Sequence, residues 1–312
     1  MRTAFIKKIT EMARKDPDIY FLTGDLGFSV VEDFQKEFPD RFLNVGIAEQ
    51  TLMGVAAGLA LSGKTVFVYS IASFLTMRCF EQIRNDICYH NLKIRIIGVG
   101  SGFSYSAYGL THHTESDISI MRSIPNMTVI APGDPLEVEL AMEESKKING
   151  PIYFRLGKKG EPIIHKEDAR LNIGKGIIMK EGSQVTLISS GNTLEMVKKI
   201  SDRLESEGIS NRLISMHTVK PIDKDLILDC LNKTSYIFSI EEHNIIGGLG
   251  SAVSEIIAES GLNKKIVFRR IGIKDKFCTI AGDQNYIRDF CDISEEKITS
   301  EIKNIIKNKN EQ

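Results

Sequence analysis

Short apolar runs alternate with longer helical stretches along almost the whole chain. That alternation constrains the fold more than any other feature. Residues 19–22, 42–45, 65–69, 93–99, 127–131 and 152–156 read as strands meant for burial. Between them, residues 3–15 are amphipathic through Phe5, Ile6, Ile9, Met12 and Ala13 and stop before Asp16-Pro17. Helices are also expected at 73–89, 116–123 and 135–147. Residues 157–182 carry Lys, Gly, Glu and Asp with scattered isoleucines and read as an interdomain connection. The alternation then restarts, with strands at 185–189, 211–215, 236–240 and 266–271. Helices are expected from an Asn192 cap to Glu207, after Pro221, from about Gly250 to Ser260, and at the end through Ile298, Ile302 and Ile305. Alternating strand and helix imply mostly parallel sheets covered on both faces. The expectation is an α/β protein of two doubly wound domains: residues 1–160, a linker at 161–182, and a smaller domain at 183–312. A chain of 312 residues has material for both cores.

Charge excludes some partners. Forty basic against forty-one acidic residues give a net charge of −1, which makes no electrostatic case for nucleic acid or an anionic membrane. No apolar run reaches the roughly 18 residues of a membrane span, and the first residues lack the apolar core of a signal peptide. Five cysteines without CxxC spacing suit a reducing compartment, so a cytoplasmic protein is expected.

Residues 42–62 hold the most informative juxtaposition. The run Phe42 to Val45 turns at Gly46 and enters a helix whose Gly54, Ala57 and Gly58 permit another backbone to pack closely. One carboxylate, Glu49, stands at the helix entrance beside Gln50 in apolar surroundings. A first-turn acid favours the helix dipole. A carboxylate after a buried strand is also desolvated, and so a candidate for chemistry. His112 and His113 stand together in the glycine-bearing stretch 100–114, after the C-terminal end of a strand, where open α/β sheets place ligands. An imidazole can exchange protons near neutral pH. Phe74 and Phe80 have the helical spacing of core residues, and Arg78 either approaches a ligand or solvates its helix.

The segment Val45-Gly-Ile-Ala-Glu-Gln50 resembles the catalytic-glutamate segment of thiamine-diphosphate enzymes of the transketolase and deoxyxylulose-phosphate synthase superfamily. The stretch Gly109-Leu-Thr-His-His-Thr114 on to Met127 is similar to the family's histidine segment. The resemblance spans essentially the whole chain. It implies that Glu49 hydrogen-bonds N1′ of the cofactor's aminopyrimidine, that Phe74 stacks on that ring, and that Ile47 and Asp25 lie beside the cofactor. It assigns His112 to the sugar carbonyl, with His113 as second choice. Ser29, Arg2 and Arg155 match residues that face a substrate phosphate, a role suited to arginine. Tyr108 stands where transketolases carry an aspartate that reads the donor's hydroxyls, and Leu110 replaces the usual proline. Glu241-Glu-His-Asn-Ile-Ile-Gly-Gly-Leu-Gly250 resembles the family's C-terminal domain. Its glycines do not follow GxGxxG and read as close packing, with His243 structural or interfacial.

The family holds Mg²⁺ and the cofactor diphosphate with Gly-Asp-Gly followed at a distance by Asn. Gly24-Asp25-Leu26 and Gly282-Asp283-Gln284 are the near matches, and neither sits in that context. The resemblance therefore implies the C-terminal subunit of a split transketolase. Thiamine diphosphate would be shared with an N-terminal subunit that carries the Mg²⁺ site, in an α₂β₂ assembly. A two-carbon ketol unit would pass from a ketose or its phosphate to an aldehyde. A 2-oxoacid dehydrogenase E1 β-subunit and a non-catalytic nucleotide-binding module at 247–250 are the alternatives. The Thr111-His112-His113 passage favours transketolase over the first, and Glu49 in its apolar setting counts against the second.

Overall fold

The computed structural model describes residues 1–158 and 160–310. The first six strands are β1 (Ile19–Thr23), β2 (Phe42–Asn44), β3 (Thr65–Ile71), β4 (Ile94–Val99), β5 (Thr128–Ile130) and β6 (Ile152–Leu156). They lie side by side in the order β5-β6-β4-β3-β1-β2, with every neighbouring pair parallel. The period of two decides which face each residue supplies. On β3, Val66 and Val68 enter the core built with Leu52, Met53 and Ile96. Phe67 and Tyr69 enter the opposite core with Phe5, Phe21 and Phe154. Burial on both faces is why this strand reads as an unbroken apolar run.

The second sheet takes β7 (Ile177–Lys180), β8 (Val185–Ser189), β9 (Asn211–Ser215), β11 (Tyr236–Asn244) and β12 (Val267–Ile273) in the order β12-β11-β8-β9-β7. Its pairs are parallel except for β7 on β9. The helix Leu194–Ser206 packs Val197, Ile200 and Leu204 on one face with Ile298, Ile302 and Ile306 of the last helix. The helix Leu249–Glu259 covers the other face with Leu249 and Val253.

The structure departs from the sequence expectations at definite places. The strand at 42–45 is a sheet edge, and its residues are half-buried or exposed. The helix expected at 73–89 is broken into Ala72–Arg78, a single turn at Phe80–Gln82 and a wide π-helical turn at Ile83–Cys88. Residues 157–182 include β7, which adds an edge to the second sheet. Asn192 caps nothing, because its amide donates to Glu242 Oε1 at 2.7 Å.

One further strand joins the two halves. β10 (Thr218–Lys220) leaves the end of β9 and pairs antiparallel with β5, making the first sheet seven-stranded. Beside it lies a buried polar cluster. Asp134 caps the helix Pro135–Glu144 by accepting from Glu137 N at 2.7 Å, and also accepts from the backbone N–H groups of Ile164 and His165. His165 Nδ1 lies 3.0 Å from Asp134, while its Nε2 stands 3.1 Å from Glu137 Oε1 outside hydrogen-bond geometry, an electrostatic contact. Glu137 in turn accepts from Ser215 Oγ on β9 at 2.6 Å.

Candidate functional site

The C-terminal ends of β1 to β4 open on one edge of the first sheet, and the segments that follow them carry most of the expected site residues. After β2, the chain turns and begins the helix Glu49–Leu61 with Glu49 in its first turn. Val45 N donates to Thr23 O and Asp25 N to Gly46 O, so the segments after β1 and β2 are tied together. Glu49 is only 6% exposed although Ile47, two residues before it, is 81% exposed. A carboxylate shielded at the floor beside an open apolar rim is held by a charge partner: Arg78 Nη1 donates to its Oε2 at 3.0 Å.

Arg78 belongs to the helix Ala72–Arg78 that follows β3, four positions after Phe74 and hence on the same face. Its guanidinium carbon lies 4.4 Å from the centre of the Phe74 ring. Phe74 meets His112 edge to face, with ring centres 5.2 Å apart. His112 Nδ1 is 2.9 Å from Thr111 Oγ1, and the Tyr108 ring lies 5.0 Å away. Partial burial lowers the His112 pKa below its ordinary value of 6.5. The imidazole is therefore neutral at physiological pH, able to accept and return a proton. Glu49, Arg78, Phe74, His112 and Tyr108 thus form one continuous array, joining residues from 49 to 112 that no local pattern connects. Tyr108 itself is 65% exposed, on the rim.

The other candidates sit elsewhere. His113 is enclosed against the Phe103 ring at 5.1 Å and points away from the array, with Nε2 3.5 Å from Ser106 O. Asp25 and Ser29 are exposed after β1, and Ser29 adopts a left-handed backbone with φ 62°. Arg2 acts electrostatically on Tyr69 and Tyr105. It shares with Ser29 a cleft of about 880 Å³ between the first helix (Arg2–Lys15) and the segment after β1. The Tyr105 ring lies 6.5 Å from His112.

Arg155, expected from the resemblance to face a substrate phosphate, sits in the interior. It is fully buried on β6, donating through Nε to Asp117 Oδ2 at 2.8 Å and through Nη2 to Thr114 O and Glu242 O. The signal for this was present but unreadable: Asp117 lies near the start of a helix in sequence, and only the packing of that helix on β6 brings it to Arg155. His243 is likewise enclosed, 4.0 Å from Asp117 Oδ1, and burial lowers its pKa to about 4. Glu241 accepts from Leu249 N and Gly250 N at the start of the helix Leu249–Glu259. A side chain at Gly250 would meet Arg270 and Ser239, so these glycines serve packing.

For the cofactor, the array fits the aminopyrimidine end: a shielded carboxylate, an accessible aromatic face and an apolar rim. Among the described residues, no group of three or more His, Cys, Asp or Glu side chains is placed to hold a metal ion. Asp283 caps its own helix by accepting from Tyr286 N. No helix among the described residues is long and apolar enough to cross a membrane.

Known proteins resemble this chain over most of its length. Residues 1–161 match the transketolase pyrimidine-binding domain, and residues 174–294 the transketolase C-terminal domain. A chain from Methanocaldococcus jannaschii, described as a transketolase C-terminal section, is 39% identical over 89% of this chain and 87% of its own length. One of the subunits of the apulose-4-phosphate transketolase of Actinobacillus succinogenes is 38% identical over 83% of this chain and 82% of its own. A solved split-gene transketolase, described as an inactive β4 tetramer, superposes with a TM-score of 0.88 at 35% identity and covers 97% of both chains. Family enzymes depend on thiamine diphosphate, and the present chain belongs to the transketolase family, corresponding to the C-terminal subunit of its split members.

Proposed function

We propose that this chain, paired with an N-terminal subunit that holds the diphosphate and Mg²⁺, transfers a two-carbon ketol unit from a ketose phosphate to an aldehyde. The observation that carries the reading is the Glu49–Arg78–Phe74–His112 array, which offers the pyrimidine end of a cofactor site. Thiamine diphosphate supplies the nucleophilic carbon and the electron sink when bound. Glu49, which accepts from Arg78, would hold and return a proton at the aminopyrimidine ring nitrogen, and Phe74, Ile47 and Asp25 would hold that ring. His112, whose pKa partial burial lowers, would accept a proton from the substrate oxygen and return it.

The cleft shared by Arg2 and Ser29 supports a phosphorylated substrate, as the name of the Actinobacillus relative suggests for that protein. Tyr108 on the rim, in place of an acid, supports a donor less hydroxylated at the recognised position than the usual pentulose phosphate. Buried His113 and Arg155 are assigned to the support of the loop and not to substrate. The domain organisation is proposed as residues 1–160, a connection at 161–182 that lends β7 to the second sheet, and 183–312, with β10 reaching back to the first sheet. Five buried free cysteines fit a reducing cytoplasm.

The test is reconstitution. Calorimetry on the full chain alone should detect weak or no binding of thiamine diphosphate, with tight Mg²⁺-dependent binding once the partner subunit is added. Ketol transfer should appear in the same mixture. Tight metal-dependent binding by the lone chain sinks the division of the site.

A further inference from the structure

The stretch that presents His112 has little structure of its own. Residues 100–114 contain two short 3₁₀ turns (Ser106–Tyr108 and Leu110–His112), and the base is closed by a single bridge between Gly102 and Thr114. Gly102 N donates to Thr114 O at 3.0 Å and Thr114 N to Gly102 O at 2.9 Å. A loop so built keeps its position through what holds it from outside.

The first half ties it at Thr111, whose carbonyl accepts from Ser73 Oγ at 3.1 Å, and the second half ties its base through Glu242 on β11. Its carboxylate is fully enclosed and accepts from Phe103 N at 2.7 Å, Asn192 Nδ2 at 2.7 Å, Gln284 Nε2 at 2.8 Å and Arg288 Nε. An enclosed carboxylate persists where donors surround it, and here the donor on the loop side is the backbone of Phe103. The Glu242 carbonyl accepts from Arg155 Nη2 at 2.9 Å, and the same nitrogen donates to Thr114 O at 2.8 Å. Both sides of the bridge are therefore fastened to one residue. Gly102 has φ 56°, and any side chain there would collide with the Glu242 carboxylate. From Phe103 the hold passes through its ring to His113, and so to the backbone of His112. Ser106 Oγ adds a parallel tie to Gly282 O at 2.8 Å.

We propose that Glu242 is a positioning residue: through its carboxylate the C-terminal half sets the loop that aims His112 at the substrate. The proposal rests on the functional reading of His112 given above. Glu242→Gln is the direct test, because the amide removes the charge and must turn its N–H₂ either towards the Phe103, Asn192 and Gln284 donors or towards Arg288 Nε, so one side of the hold loses its acceptor. In the full chain, amides of residues 101–113 should exchange with deuterium about tenfold faster, while β8 and β9 keep their protection. In the complex with its partner subunit, turnover should fall about 10–100-fold with little change in donor KM, as expected for a misaimed group. Cofactor C2–H exchange, which depends on Glu49, should stay at the wild-type rate. Gln284→Ala, which removes one donor and leaves the carboxylate, should show a smaller rise in loop exchange, and it decides the matter if Glu242→Gln does not fold. Unchanged loop exchange in a folded variant overturns the proposal, as does C2–H exchange that falls in step with turnover. A wild-type complex without ketol transfer refutes the functional reading instead, and the loop exchange still tests the hold.

Discussion

Asp117→Asn is the substitution on which the structure makes its most quantitative claim. Arg155 Nε lies 3.1 and 2.8 Å from the two Asp117 oxygens, Tyr153 Oη donates to the same carboxylate at 2.6 Å, and all three residues are enclosed. Asparagine keeps an acceptor for Tyr153 but removes the counter-charge and can turn an N–H₂ towards the guanidinium. Losing one partner of a buried ion pair costs ~3–5 kcal/mol. Glu242 also acts electrostatically on Arg155 and offsets part of the loss, which places the expected change near ~3 kcal/mol. At roughly 2–4 °C per kcal/mol for a chain of this size, Tm should fall by about 6–12 °C. Urea unfolding of the full chain at pH 7, with calorimetry alongside, measures both quantities. A change below ~1 kcal/mol would refute the reasoning, since a buried guanidinium would then tolerate the loss of its partner. The companion Arg155→Lys separates this account from a phosphate-binding one. Loss of the fork to Asp117, Thr114 O and Glu242 O should lower Tm, whereas a substrate contact would raise KM and leave Tm alone.

Three other outcomes follow from the geometry. Glu49→Gln should preserve assembly while cofactor C2–H exchange in the reconstituted enzyme falls by roughly 10²–10⁴-fold, the usual worth of acid–base catalysis; an unchanged rate removes Glu49 from the mechanism. Tyr108→Asp should shift donor preference towards xylulose 5-phosphate by about tenfold or more, the worth of one charge-assisted hydrogen bond, in a competition assay against other ketoses and pyruvate; no shift would dissociate Tyr108 from donor choice. Burial lowers the His165 pKa, but its bond to Asp134 and the charge of Glu137 outweigh that and raise it above 6.5. Its stabilising contribution is then full below pH 6.5 and lost as pH rises through the raised value. Relative to His165→Asn, the wild type should lead by ~2 kcal/mol near pH 6, and the lead should shrink on the alkaline side of urea-midpoint profiles; a pH-independent gap counts against the charged pair.

Local periodicity and residue type determined much of this protein from sequence alone. Strands buried on both faces, such as β3, have to be apolar throughout, and the helices between them have to carry one apolar face, so the two-sheet α/β order was legible without coordinates. Glu49, Phe74 and His112 are named by the family resemblance, against the core reading of Phe74 from its helical spacing, and the structure brings them into one array. The rest depended on contacts between distant segments. A short edge strand like β10 has no periodicity to display, and its pairing with β5 depends on where β9 ends in space. Of the two adjacent histidines, the one facing the array was decided by the 3₁₀ turns, which rotate His112 outward and pack His113 on Phe103. Arg155 has the composition of a ligand-gripping residue, and only the arrival of Asp117, Thr114 and Glu242 around it makes it an internal brace. Charges and hydrogen-bond donors are read from sequence as capacities; which partner satisfies them is set by tertiary packing, because burial makes an unsatisfied group too costly to leave.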